Sequence, residues 1–103
     1  MAATITQSIT GNTAHIVIKG RFDFTCHREF RQAYEELIKT PDINQIDLNF
    51  QAVDYLDSSA LGMLLLLREK AAERNIQISL NHCQGTVQQV LEVANFNKLF
   101  SIS

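Results

Sequence analysis

Over residues 4–10 apolar and polar positions alternate weakly, with Ile5 and Ile9 on one face, and after Gly11-Asn12 the run Ala14-His15-Ile16-Val17-Ile18-Lys19 reads as a second strand. Two such runs joined by a short Gly-Asn turn predict a β-hairpin. From Cys26 the period lengthens: Cys26, Phe30, Ala33 and Leu37 fall on one helical face, and Arg28, Glu29, Arg31, Gln32, Glu35 and Glu36 fill the rest. The helix should stop before Thr40-Pro41, because proline pushes its predecessor out of the helical region. Ile46, Leu48 and Phe50 then alternate with Asp47 and Asn49, and Ile76, Ile78 and Leu80 alternate with Gln77, Ser79 and Asn81. Strands covered on both faces read as continuous apolar runs, so this alternation predicts a sheet covered on one face and solvated on the other.

The expected order is strand, strand, helix, strand, helix, strand, helix, then a short apolar tail. Consecutive strand-helix-strand units make the central strands parallel with right-handed crossovers, and open sheets of this kind place their sites beyond the carboxyl ends of the strands. Three segments should share that edge: Phe22-Asp23-Phe24, Asp54-Tyr55-Leu56-Asp57-Ser58-Ser59, and His82-Cys83.

Asp57-Ser58-Ser59-Ala60-Leu61-Gly62 opens the most apolar helix of the chain. Ser58 is the expected N-cap, since its hydroxyl can accept from the free amides of the first turn. Projected at about 100° per residue, Ala60, Leu61, Leu64, Leu65, Leu67, Ala71 and Ala72 share the arc expected to face the sheet, with Arg68 snorkelling at its end. Gly62, Met63, Leu66, Glu69, Lys70 and Glu73 fall opposite. The outward turns nearest Ser58 therefore carry an apolar patch, Gly62, Met63 and Leu66, of the kind that marks a partner surface when rimmed by charge.

Composition narrows the function more than the fold. The 103 residues suit one domain, since two cores would leave about fifty residues each. A net charge of −2 lacks the basic excess that draws a protein to nucleic acid or an anionic membrane. The apolar run Met63–Leu67 is far shorter than the roughly 20 residues that span a bilayer. The start of the chain lacks a basic and apolar leader, so a cytoplasmic location is expected. Cys26 and Cys83 stand far apart without a C-x-x-C spacing and are expected to be small buried hydrophobes. There is no G-x-S-x-G elbow, Gly-rich phosphate loop or metal-ligand cluster, and of His15, His27 and His82 only the last should reach the site edge. No catalytic residue, cofactor or metal is therefore expected.

The stretch Val53-Asp54-Tyr55-Leu56-Asp57-Ser58-Ser59-Ala60-Leu61-Gly62 resembles the D-S-[ST]-G-L-G segment of STAS domains, specifically the bacterial anti-sigma-factor antagonists. The resemblance covers nearly the whole chain: Ile16-Val17-Ile18-Lys19-Gly20-Arg21-Phe22-Asp23 is similar to the family's second strand and acidic turn, and Val93–Ile102 to its closing segment. Ala60 stands where the family has glycine, and Asn95 where it often has glycine, a position whose left-handed backbone asparagine tolerates.

The resemblance implies an α/β STAS-like single domain over residues 1–103, a four- to five-stranded mixed sheet with helices covering mainly one face. It implies a protein that acts by docking. The unphosphorylated antagonist binds an anti-sigma factor with serine kinase activity and frees the sigma factor; phosphorylation at Ser58, with Ser59 the second candidate, switches it off, and a serine phosphatase restores it. The docking residues expected are Asp23, Asp57, Ser58, Ser59, Gly62, Met63 and Leu66, on a chain that is monomeric when free. The other reading is a constitutive STAS subunit of a lipid-transport ATPase or stress-signalling assembly, where the same surface would be permanent contact.

Overall fold

A computed structural model describes residues 3–103. Strands β1 (Thr4–Thr10) and β2 (Thr13–Phe22) form the expected hairpin, turning at Gly11, whose φ of 62° lies in the left-handed region that glycine enters without strain. Helix α1 (His27–Lys39) follows a 3-10 turn over Phe24–Cys26 and ends at Thr40, which takes the extended backbone that a following proline demands. Strand β3 (Gln45–Leu56), helix α2 (Ser58–Ala72), strand β4 (Gln77–Asn81), helix α3 (Gly85–Val93) and the short strand β5 (Ser101–Ile102) complete a five-stranded sheet in the order β1-β2-β3-β4-β5. β1 is antiparallel to β2 and the other neighbours are parallel.

The covered face carries Ala14, Ile16 and Ile18 from β2, Ile46, Leu48 and Phe50 from β3, and Ile78 and Leu80 from β4, all buried. The opposite face keeps His15, Val17, Asp47, Asn49 and Ser79 only partly covered. Gln45 donates from Nε2 to Asp47 Oδ1 at 2.8 Å and to Ser79 Oγ at 2.7 Å, so this face is polar and largely self-satisfied.

One boundary departs from expectation in a way that shapes the site. Asp54, Tyr55 and Leu56 were expected in a loop, but they lie inside β3. Two register shifts, between Val17 and Lys19 and between Gly20 and Arg21, place extra β3 residues opposite β2. Each bulge resets the two-residue alternation, so burial passes from Phe50 to Val53 and then to Leu56, and the pattern ceases to read as a strand. Gly20, with a φ of 96°, carries β2 past the second shift and aims Arg21, Phe22 and Asp23 at the sheet edge. Phe22 anchors that end in the core, edge-on to Phe30 at 5.1 Å and tilted against Phe50 at 6.0 Å. Burying a ring of this size contributes about 1.5–3 kcal/mol, which holds the start of the 3-10 turn in place.

Candidate docking site at the sheet edge

Asp57, the residue after β3, is extended, and its side chain turns onto the start of α2. Oδ1 accepts from the Ser59 amide at 3.1 Å, the Ala60 amide at 3.2 Å and the Ser59 hydroxyl at 2.6 Å. This corrects the expectation that Ser58 caps the helix. Ser58 is the first helical residue and Asp57 is the cap, because a carboxylate one position earlier reaches two free amides and the dipole end at once. The hydrogen bonds from the Ser59 hydroxyl and the Ala60 amide hold the Asp57 carboxyl below the usual carboxylate range despite its desolvation. The consequence for the two serines is opposite: the Ser59 hydroxyl is committed to Asp57, while Ser58 is exposed and its hydroxyl bonds to no described residue.

The same carboxylate is tied to the neighbouring strand. The Tyr55 hydroxyl donates to Asp57 Oδ2 at 3.3 Å, and the Arg21 guanidinium lies 3.8 Å above the Tyr55 ring. Arg21 Nε in turn donates to Asp23 Oδ2 at 2.8 Å. Asp23 also accepts from the Thr25 amide at 2.9 Å and from the Thr25 hydroxyl, which caps the 3-10 turn before α1. The Thr25 hydroxyl is the first cause that keeps the Asp23 carboxyl below its ordinary range, followed by the Thr25 amide and Arg21. Asp23 and Asp57 thus stand on one edge, as the parallel topology requires, joined through Arg21 and Tyr55. Sequence reasoning missed those two linking residues; the adjacent strand ends that carry them, Arg21 opposite Tyr55, follow from a register it could not supply.

The expected apolar patch is only partly exposed. Gly62 and Leu66 are exposed, but Met63 is buried, with 8% of its surface accessible. Leu65, assigned to the sheet-facing arc, is instead 41% exposed. The physical reason is that α2 has neighbours on both flanks: α1 lies against Met63, which an arc drawn for a helix on a bare sheet leaves outside. The apolar surface beside Ser58 is a different one. Ser58, Leu61, Gln89, Val90, Val93 and Ala94 line an open groove between α2 and α3, and Val93 is 84% exposed. Sequence reasoning named Val93 only as the start of the closing segment and placed none of the α3 residues at the site. The only trace they leave in the sequence is an apolar Val93 at the end of a short helix.

The remaining candidates fall away from this site. His82 lies near the edge, exposed and with a φ of 60°, and no hydrogen bond joins it to Ser58 or Asp57. His27 turns its Nδ1 to the Phe24 carbonyl at 2.9 Å, and His15 lies on the polar sheet face. Cys26 and Cys83 are buried free thiols; burial raises both, Cys83 to about 11, so neither is a ready thiolate. Among the described residues no group of three or more histidine, cysteine, aspartate or glutamate side chains could hold a metal ion, and no helix is long and apolar enough to cross a membrane.

The fold and the site together define a small α/β protein that presents an Asp-capped serine beside an apolar groove. A family model described as "Mlab, STAS domain" matches residues 5–101, and the chain belongs to the STAS domain family. It is 50% identical, over the full length of both chains, to a STAS-domain containing protein of Pseudomonas aeruginosa strain UCBPP-PA14. Among solved structures it is similar to an anti-sigma factor antagonist from Mycobacterium paratuberculosis, with a TM-score of 0.85 and 15% identity, covering 98% of this chain and 85% of that one. It is also similar to the anti-sigma factor antagonist SpoIIAA of Bacillus in its unphosphorylated form, with a TM-score of 0.73 and 19% identity, covering 99% and 87%. A sulfate transporter family protein from Wolinella succinogenes shares the fold, with a TM-score of 0.77 and 16% identity over 91% and 75%. The mixed sheet, expected with four to five strands, has five and is the STAS fold.

Proposed function

We propose that this chain is a single-domain, cytoplasmic bacterial anti-sigma-factor antagonist, switched by phosphorylation of Ser58. In its unphosphorylated form it binds an anti-sigma factor with serine kinase activity and releases the sigma factor; a serine phosphatase reverses the modification. The observation that carries this reading is the division of labour at the start of α2. Asp57 satisfies the helix amides and holds the Ser59 hydroxyl, which leaves Ser58 exposed on an apolar groove. An acceptor serine must offer a hydroxyl that the fold does not need, and Ser58 does so.

The docking face comprises Asp23, Asp57, Ser58, Ser59 and Gly62, to which the groove adds Leu61, Val90 and Val93. Met63 and Leu66, expected on the same face, are reassigned: Met63 supports it from the core, and Leu66 belongs to the α1 side of α2. Because Asp57 already occupies the Ser59 and Ala60 amides, a phosphate on Ser58 would extend from the surface rather than settle on the helix end. It would add about −1.5 to −2 charge to the docking face. Against an acidic partner group about 5 Å away, at an effective dielectric of about 20, each unit of repulsion costs about 3 kcal/mol, or roughly a hundredfold in affinity.

The test is the intact mass of the protein purified from its own host, with and without phosphatase treatment, followed by phosphopeptide mapping. A phosphatase-sensitive gain of one phosphate on Ser58 supports the switch. Its absence under every growth condition, with stable retention of the protein in a membrane ATPase or a large assembly, would favour the constitutive subunit, a reading to which the sulfate-transporter neighbour lends its fold.

A further inference from the structure

On the flank of α2 opposite the Ser58 groove, a second recess lies between α1 and α2. Its walls are Phe24, His27, Arg31, Tyr34, Met63 and Leu66, with Phe30 at the base, and it shares no residue with the Ser58 groove. Its volume of about 110 Å³ decides the class of occupant. Sites for free small molecules run from about 300 to 1,000 Å³, so this one holds a single side chain of a larger partner.

The lining says which side chain. Phe24 is 62% exposed, and its ring stacks on His27 with centroids 4.2 Å apart and planes 9° from parallel. Leu66, 52% exposed, forms the opposite lip, and the buried Met63 closes the floor. Aromatic and aliphatic walls around a small recess are the usual seat of an apolar anchor. One polar group then selects its neighbour. Arg31 stands exposed at the rim without an ion pair, the Arg21–Asp23 pair being the only one among the described residues. An unpaired guanidinium on the rim complements a carboxylate.

We infer that the α1–α2 recess is a second docking surface, which takes an apolar side chain flanked by an aspartate or glutamate on a partner protein, and that it stays open when Ser58 is phosphorylated. The inference does not require the Ser58 switch: Ser58 lines the α3 side of α2 and the recess lies on the α1 side, so a charge on Ser58 does not enter it, although Asp23 and Gly62 of the gated face border it at Phe24 and Met63.

The test selects binders to the full chain from a random short-peptide display library and measures each by fluorescence polarisation against five proteins: wild type, Phe24→Ala, Arg31→Glu, Leu66→Ser and Ser58→Asp. Phe24, Arg31 and Leu66 are exposed, so these variants should keep the wild-type urea midpoint, which is measured alongside. The expected result is a class of peptides with an apolar residue next to an acidic one, weakened about tenfold or more by Phe24→Ala, Arg31→Glu and Leu66→Ser and less than twofold by Ser58→Asp. Two outcomes overturn the inference: no selected peptide depends on Phe24 and Arg31, or every peptide that does so is also lost with Ser58→Asp. Phosphorylation of Ser58 in the host is read separately by mass, so failure here leaves the switch standing, and the reverse.

Discussion

Asp57 carries more of the site than any other single residue, because one carboxylate caps α2, restrains Ser59 and receives Tyr55. Replacing an N-cap by alanine costs about 0.5–2 kcal/mol, so Asp57→Ala should lower the urea midpoint while Asp57→Asn, which keeps an acceptor, should lower it less. The two should also differ from wild type in their response to acid. The folded carboxyl is held below its ordinary range, so its contribution is complete above the unfolded carboxylate value near pH 4 and is lost as pH falls through the depressed folded value. The stability advantage of wild type over Asp57→Asn should therefore shrink below about pH 4; an advantage constant with pH would assign the acid sensitivity to other groups. At Ser58 itself, Asp should weaken anti-sigma-factor binding at least about tenfold, and Ala should bind but escape switching, as titration calorimetry with and without the kinase reaction would read. Asp23→Asn removes the charge that meets Arg21 but keeps an acceptor for Thr25, so affinity should fall with little loss of stability; the reverse would make Asp23 a structural cap.

Helix α2 is the element on which the packing and the docking readings part. Through Leu67 it is apolar nearly all the way round, with sheet beneath it, α1 packed on one side and α3 across an open groove on the other. Its residues therefore differ in role by small differences in angle. Met63→Ala removes a buried side chain and should cost about 2–5 kcal/mol of folding free energy. Leu66→Ala, at a half-exposed position, should cost far less, and urea unfolding of the pair separates a core residue from a surface one. Gly62 has no atom within 4 Å of an added Cβ and no left-handed backbone, so Gly62→Glu should fold normally and gain helix propensity. Its effect should fall on docking, by bulk and charge one turn above Ser58. Comparable loss of binding and stability in Gly62→Glu would show that this turn is packed rather than presented.

Over the whole molecule, one apolar cluster links all three helices to the sheet, from Ala14 and Phe22 through Leu64 and Leu67 to Leu91 and Phe100. A single connected core of this size unfolds cooperatively. The Ser58 hydroxyl bonds to no described residue, so Ser58→Asp should leave the melting transition within a few degrees of wild type while it changes affinity. A melting temperature that drops as far as the affinity would place the effect of the charge in the fold.

The three helices, the four longer strands and the exposed Gly62 were legible in the sequence, because each depends on neighbours a few positions away; the shared edge of Asp23 and Asp57 followed from the parallel strand order, and the left-handed Asn95 from the family pattern. Periodicity sets which face of a strand or helix is apolar; a proline or an asparagine sets where it ends. Tertiary structure decided the rest. The bulges that draw Asp54–Leu56 into β3 arise from pairing with β2, and no two-residue alternation survives them to be read. The choice of Asp57 over Ser58 as cap turns on where β3 delivers the chain, since either side chain has the chemistry to do it. The burial of Met63, the exposure of Leu65 and the groove of Leu61, Val90 and Val93 follow from the seating of α1 against α2 and of α3 on β3. The first turns of α2, apolar on every side, carry no angular signal in their own sequence. Their neighbours alone determine which of their side chains become core and which remain to meet a partner.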